Sequence, residues 1–304
     1  MTAPEFIPFA EGDKKLDWLG LTEALEAAHK LPKAEISDTL LYRGKDTLLS
    51  RAAWIDDIGV LVKSATIFPD NPNLEKPLIH GSVSLFNDND GDLAAYLDFQ
   101  LVTKWKTAGD SLLGALKLAR PDSRKILIVG AGEVAGNLRQ AYGAGFPNAE
   151  FTIWNRTKSK AEELAEKFPN TTVADDLQSA IANADIITSA TMVSEPVIKG
   201  EWLKPGQHVD LIGAYKPDMR EVDDEAMKRA TVFVDSYDTT IEHIGELMKP
   251  IASGAISASD VKADYYTVEN MKRSSNDEIT LFKNGGGAHL DLMTSVYILK
   301  AWRA

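Results

Sequence analysis

The chain contains no cysteine. That single absence excludes disulfides, thiolate catalysis and cysteine-ligated metals together. No apolar run approaches the roughly 18 residues of a membrane span, so no contact with a bilayer core is predicted. The opening MTAPEFIPFAEGDKKLDW has no basic segment followed by an apolar one, and no signal peptide is expected. A cytoplasmic location is the resulting expectation. Positive charge is also scarce, with 33 Lys and Arg against 45 Asp and Glu and a formal net charge of −12. Nucleic-acid binders concentrate Lys and Arg on one face, so a phosphate-backbone partner is not expected. Small anions remain open, because a local group of cations can hold them. Histidines are few, and His29, His208 and His243 form no H-x-x-x-H spacing, so no metal centre is expected.

What is present is ordinary globular composition, 44% apolar and 26% charged over 304 residues, enough for one large or two ordinary domains. From residue 125 onward, apolar runs at 126–129, 151–154, 171–173, 186–190, 208–212 and 232–234 alternate with helical stretches at 158–168, 175–183 and 221–230. This rhythm predicts βαβ units and a parallel sheet with helices on both faces. The first run, Ile126-Leu127-Ile128-Val129, leads directly into Gly130-Ala131-Gly132-Glu133-Val134-Ala135, a G-x-G-x-x-A turn that opens a helix. Gly130 permits the tight turn, Gly132 lets a pyrophosphate approach bare backbone, and Ala135 lets the helix pack close to the strand. The helix N-terminus adds unpaired N–H groups and the positive end of a dipole. A strand before the turn and another after it, Phe151 to Asn155, make this a dinucleotide site.

The second strand of such a site usually ends in Asp or Glu, which holds the ribose hydroxyls. Here the sequence reads Asn155-Arg156-Thr157-Lys158. Without that carboxylate, Arg156, Thr157 and Lys158 can meet a 2′-phosphate, so NADP(H) is expected in preference to NAD(H). Ligands of open parallel sheets sit beyond the carboxyl ends of strands, which marks Ala190, Thr191, Met192 and Gly213 as neighbours of the ribose and nicotinamide.

Residues 1–110 read differently. After a helical stretch at 21–30, segments 36–42, 46–50, 58–68, 78–86 and 93–99 resemble consecutive strands, and Asp90-Gly91 is a hairpin signal. Asp88, Asp90 and Asp92 do not complete a calcium loop, since no Glu stands at its twelfth position. A long helix is predicted over 98–119 and another over 286–302, after the strand-like Ile279-Thr280-Leu281-Phe282. The expected architecture is α/β, a Rossmann-type doubly wound parallel sheet plus a split, mainly antiparallel α+β domain. Its boundaries are 1–112, completed by 286–304, for the substrate and dimerisation domain, and 113–285 for the dinucleotide-binding domain.

The chain resembles the ornithine cyclodeaminase/mu-crystallin family. The matching stretches are Val62-Lys63, Phe68-Pro69-Asp70-Asn71-Pro72, Gly81-Ser82-Val83 and Leu101 to Ala108 before GAGEVAG. Ala190-Thr191 with Pro196, Gly213-Ala214 with Pro217, Arg220-Glu221-Val222-Asp223, Val234-Asp235-Ser236, Gly245-Glu246-Leu247 and Gly287 to Asp291 follow in order. The resemblance implies hydride chemistry at an amino-acid α-carbon, a site at the cleft between domains, and a homodimer whose N-terminal sheets pack together. It places the family's substrate-binding lysine on Lys63 and its Arg-Thr-Ala-Ala segment on Lys106-Thr107-Ala108-Gly109, with Lys in place of Arg. Arg51 is the candidate for the family's earlier arginine. The cyclodeaminase's catalytic Asp falls on Tyr215, and the missing carboxylate favours imine reduction over cyclodeamination.

Lys63 and Lys106 are therefore the expected catalytic residues, with Arg51 and Ser82 beside them at the substrate. Ser82 reads equally as an exposed strand position. His80 reads as a proton relay or, more simply, as a structural histidine. His289 is expected near the nicotinamide, whereas Asp291 reads either as a site residue or as a partner of its helix dipole. The expected activity is NAD(P)H-dependent reduction of small cyclic imino acids, Δ1-pyrroline-2-carboxylate to L-proline above all, with Δ1-piperideine-2-carboxylate as a further substrate. The alternatives are ornithine cyclodeaminase with recycled NAD, an acyclic imino acid reductase or alanine dehydrogenase, and a mu-crystallin-like cofactor-binding protein.

Overall fold

The structure is a computed structural model and describes residues 3–304. The chain forms two compact units, Met1–Lys106 with Gly286–Ala304, and Thr107–Gly285. The division falls between Lys106 and Thr107, and the sequence reading put it after 112; both points lie inside one long helix, Phe99–Leu118.

Among the described residues, the first unit carries a six-stranded sheet in the order β1-β6-β5-β4-β3-β2. Its strands are β1 (Glu5–Ile7), β2 (Glu35–Arg43), β3 (Asp46–Ile55), β4 (Gly59–Ile67), β5 (Ile79–Phe86) and β6 (Leu93–Asp98). All neighbours are antiparallel except β1, which pairs parallel with β6 and was not foreseen. Side chains of a strand alternate between faces, so each strand divides its residues cleanly. Ala53, Ile55, Leu61, Ala65, Val83, Leu85 and Leu97 are buried on one face. The closing helix, labelled α10 (Ala288–Arg303), packs on that face across β2 to β5 and against α2 (Trp18–Ala28). The other face is uncovered: Phe6, Leu41, Trp54 and Tyr96 are 66%, 62%, 51% and 45% exposed.

The long helix α3 (Phe99–Leu118) begins in this unit. Its first turns are pinned from below. Asp13, just beyond α1 (Phe9–Gly12), accepts from Trp105 Nε1 at 2.7 Å and pairs with Lys104 at 2.8 Å, while Trp18 and Trp105 stack with centroids 3.9 Å apart. In the hairpin, Asp90 accepts from the Asp92 N–H at 3.0 Å and serves the turn, while Asp88 reaches out to Trp54 Nε1 of β3 at 2.6 Å.

The second unit is a parallel sheet, seven-stranded among the described residues, in the order β12-β13-β11-β10-β7-β8-β9. The strands are β7 (Lys125–Val129), β8 (Glu150–Trp154), β9 (Thr171–Val173), β10 (Ile186–Ser189), β11 (His208–Leu211), β12 (Thr231–Val234) and β13 (Thr280–Lys283). Helices α4 (Glu133–Gly145), α5 (Lys158–Ala165), α6 (Leu177–Asn183), α7 (Asp224–Arg229), α8 (Tyr237–Thr240) and α9 (Gly245–Ala252) connect them. Strands covered on both faces need continuous apolar runs, and Ile126 to Val129 are all at most 1% exposed. The last strand inserts between β11 and β12, so the sheet order differs from chain order there. The architecture is thus α/β, a Rossmann-type doubly wound parallel sheet joined to a split unit with a mainly antiparallel sheet. Strand order reverses between β7 and β10, which places a ligand crevice at their carboxyl ends.

Candidate active site

In the first unit, three neighbouring strands set one row of charges. Asp38 lies opposite Arg51, and Arg51 lies opposite Lys63. Because alternation puts all three on the face covered by α10, Lys63 is 7% exposed rather than solvated. Lys106, in the first half of α3, is buried to the same 7%. Asp291, in the first turn of α10, is fully buried and meets this group, with Oδ1 2.8 Å from Lys63 Nζ and Oδ2 3.4 Å from an Arg51 nitrogen. Lys63 also donates to Thr103 Oγ1 at 2.9 Å and sits 4.7 Å from the centre of the Phe99 ring. Arg51 donates to Gly286 O at 2.9 Å and pairs with Asp38 at 2.7 Å, while Lys106 reaches Gly286 O at 3.4 Å.

The electrostatics follow from this packing. Burial, with the charges of Lys106 and Arg51, lowers the Lys63 ammonium to about 8 even though Asp291 opposes the shift. Burial alone would raise the Asp291 carboxyl, but Lys63, Lys106 and Arg51 outweigh it and hold it at about 2. Three cations face one buried carboxylate and one half-exposed carboxylate, so the group carries a surplus of about one positive charge. Such a site attracts a small monoanion.

Two expectations fail here. Ser82 pairs with Ser64 in the register, one residue away from the Lys63–Val83 pair. It therefore lies on the opposite face from Lys63 and cannot join the cluster. His289, expected beside the nicotinamide, is 1% exposed in the first unit, with its ring edge-on to His29 at 5.5 Å between centroids. A ring enclosed in this way offers no face to a nucleotide. Burial, then His29 and Lys106, keep it neutral by lowering its pKa well below the usual value. Asp291 does stand in the first turn of α10, as the dipole reading had it, and its carboxylate also meets Lys63 and Arg51. His80 is an exposed position of β5.

In the second unit, the glycine turn follows β7. Gly130 has φ of +118°, and a Cβ there would lie 2.9 Å from Ala190 O, so the ends of β7 and β10 touch at this point. Gly132 is the N-cap of α4, with no side chain satisfying its N–H groups. A Cβ on Gly132 would meet no protein atom within 4 Å, so the space ahead of the helix is open. Glu133, Val134 and Ala135 form its first turn. At the end of β8, Asn155 Nδ2 donates to Thr157 O at 2.8 Å, and Arg156 is exposed. Lys158, expected at a 2′-phosphate, is instead 2.6 Å from Asp175.

The strand ends around Ala190, Thr191, Met192 and Gly213 are organised by a residue that the sequence reading placed in a family motif and at the start of a helix, with no role at the site. Glu221 is fully buried and accepts from Ser189 Oγ (2.5 Å), Thr191 N (2.8 Å), Thr191 Oγ1 (2.8 Å), Gly213 N (2.6 Å) and Ala214 N (3.1 Å). It thereby ties the end of β10 to the end of β11. Gly213 is required there, since a Cβ would fall 2.1 Å from Thr191 O. Glu246, also fully buried, accepts from the Glu221 and Val222 N–H groups at 2.7 and 3.1 Å. Burial and the adjoining Glu221 charge push its carboxyl up to about 7. Met192 is 76% exposed beside this framework.

A profile of the ornithine cyclodeaminase/mu-crystallin family matches residues 55–304. The chain belongs to that family. Among family members, it is 48% identical to a Δ1-pyrroline-2-carboxylate reductase of Paracoccus denitrificans, over 98% of this chain and 97% of the relative. It is 33% identical to the ketimine reductase mu-crystallin of Rattus norvegicus, over 79% of this chain and 75% of that one. Its structure is similar to that of the Thermococcus litoralis Δ1-pyrroline-2-carboxylate reductase in complex with NADH and L-proline. The TM-score is 0.89 at 25% identity, covering 98% of this chain and 97% of the other.

Proposed function

We propose that the protein is a reductase of small cyclic imino acids that uses a nicotinamide cofactor, with Δ1-pyrroline-2-carboxylate, reduced to L-proline, as its main substrate. The observation that carries this reading is the near-full-length likeness to the Paracoccus denitrificans reductase, and the charge group around Lys63 supplies a chemistry for it. Open N–H groups at Gly132, the bare turn at Gly130 and the tied strand ends at Ala190, Thr191 and Gly213 fit a dinucleotide, and those residues would hold it. A bound nicotinamide supplies the hydride.

The remaining requirements fall to side chains of the first unit. Lys106 meets the substrate carboxylate as a point charge. Arg51 spends both terminal nitrogens on Asp38, Gly286 and Asp291, so it contributes its field rather than a bidentate grip. Lys63 donates a proton toward the imine nitrogen as the carbon is reduced. Its pKa of about 8 leaves it charged at neutral pH yet able to give up that proton. The surplus of one positive charge matches a substrate with one carboxylate.

NADPH is the preferred donor in this reading, supported by neutral Asn155 and exposed Arg156 where a ribose-binding carboxylate would stand. A second copy of the chain covers the exposed Phe6, Leu41, Trp54 and Tyr96, and the expected mass in solution is twice the 33.2 kDa of one chain. A cytoplasmic location, with access to the reduced nicotinamide pool, belongs to the same proposal.

The test is oxidation of NADPH and NADH, followed by absorbance, with Δ1-pyrroline-2-carboxylate, Δ1-piperideine-2-carboxylate, and pyruvate plus ammonia in parallel. Fastest turnover with a cyclic imine and NADPH is the expected result. Ammonia release from ornithine without added cofactor would replace this reading with cyclodeamination. Cofactor binding without turnover on any of these compounds would replace it with a binding protein.

A further inference from the structure

Two of the three protons on the Lys63 ammonium already have acceptors within the first unit. Asp291 Oδ1 takes one at 2.8 Å and Thr103 Oγ1 takes another at 2.9 Å. The Thr103 hydroxyl has no rotational freedom to spare, because its own proton goes to Phe99 O at 2.7 Å. It is therefore held as an acceptor toward Lys63. An ammonium nitrogen is tetrahedral, so two fixed N–H directions determine the third.

We propose that Asp291 is a positioning residue of the reductase site. With Thr103 as the second anchor, it aims the remaining Lys63 N–H at the substrate nitrogen and keeps the ammonium charged beside two other cations, buried Lys106 and partly buried Arg51. This assignment deepens the function proposed above and rests on it for the identity of the acceptor. Asp291 does not transfer the proton itself. Its carboxyl is held at about 2 by three cations, far from the range of a useful acid near neutrality.

Arg51 faces Lys63 from β3, with Asp38 of β2 beyond; Lys106 faces it from α3 and Asp291 from α10. His289 of α10, with His29 against it at the end of α2, is neutral by burial. Among these, Asp291 is the group whose negative charge bears directly on Lys63. Its loss leaves burial and two positive neighbours acting unopposed, and the ammonium should then lose its proton at lower pH.

The experiment uses full-length Asp291→Asn and Asp291→Glu proteins, each with two readouts. The first is the pH midpoint of Lys63 acylation by a small anhydride, followed by mass spectrometry, which needs neither cofactor nor turnover. The second is the pH profile of kcat/KM with Δ1-pyrroline-2-carboxylate. Asp291→Asn should lower the Lys63 midpoint by about one pH unit or more and move the alkaline limb of kcat/KM with it. At pH 8, where a midpoint lowered by one unit leaves about a tenth of Lys63 protonated instead of about half, kcat/KM should fall about fivefold more than at pH 6, while NADPH affinity stays the same. Asp291→Glu, which keeps the charge and guards against a folding defect in the first variant, should recover part of both effects. An unmoved midpoint and limb in Asp291→Asn, or a loss of kcat/KM equal at every pH, would overturn the assignment. If the wild-type protein reduces no imine at all, the functional reading fails, and the labelling midpoint alone still decides whether Asp291 governs Lys63.

Discussion

Asp291 and Glu221 are both fully buried carboxylates, and they are satisfied in opposite ways. Asp291 is surrounded by full charges on Lys63, Arg51 and Lys106. Glu221 is surrounded by neutral donors, three backbone N–H groups and two hydroxyls. Either arrangement offsets the cost of removing a carboxylate from water. The consequences differ. The first leaves a net positive field that can capture an anion, whereas the second leaves a rigid backbone shape. Within its own unit, each carboxylate does one job: Asp291 gathers charge and Glu221 fixes backbone contour.

The sharpest break of this comparison is Lys63→Met. It removes the proposed proton donor and leaves Asp291 with poorer partners. We expect kcat/KM to fall by about 10³-fold and stability to fall by about 3 kcal/mol, with NADPH affinity, measured by fluorescence titration, unchanged. Glu221→Gln should do the reverse. A carboxamide cannot accept all five donors, and each one left unsatisfied costs about 1–3 kcal/mol. The expected result is a rise in cofactor KM of about 10- to 100-fold with the Lys63 labelling midpoint unmoved. A cofactor KM like that of the wild type would show that the strand ends hold their shape without this carboxylate.

A smaller effect concerns Glu246. Its carboxyl ionises near 7 in the folded chain but at the lower ordinary value when unfolded, because burial and Glu221 disfavour the charge. The folded state therefore holds the proton more tightly, and this group makes stability fall as pH rises from about 4.5 to 7. Glu246→Gln should flatten the dependence of melting temperature on pH across that window. The smallest effect tests the exposed cations after β8. Arg156→Ala should raise the KM for NADPH by about tenfold and leave that for NADH alone. Lys158→Ala should change either one little, because Asp175 already occupies this lysine.

Much of the parallel sheet was legible, because strands covered on both faces must be written as uninterrupted apolar runs. The glycine turn was equally plain, since its residues are adjacent. The position of β13 was hidden, as pairing order in a parallel sheet is set by packing over long separations; Thr280 to Lys283 join His208 to Leu211 across about seventy residues of chain. In the charge group, Lys63 and Lys106 were found through family likeness. Ser82 was misplaced because its face depends on the register between β4 and β5, which sets it opposite Ser64 and is not written in either strand alone. Asp291 was ambiguous because an acid in the first turn of a helix is usually explained by the dipole, and its true partners lie 228 and 240 positions away. Glu221 was read as the start of a helix, whereas α7 begins only at Asp224.

The row Asp38, Arg51, Lys63 has an evolutionary corollary. The turns at 44–45 and 56–58 can lengthen or shorten freely, but the strands between them obey a parity rule. A single-residue insertion in β3 or β4 would invert every later side chain and carry the arginine or the lysine to the uncovered side. Surviving length variants in this hairpin should therefore change the strands by two residues, or place a compensating bulge before the charged row.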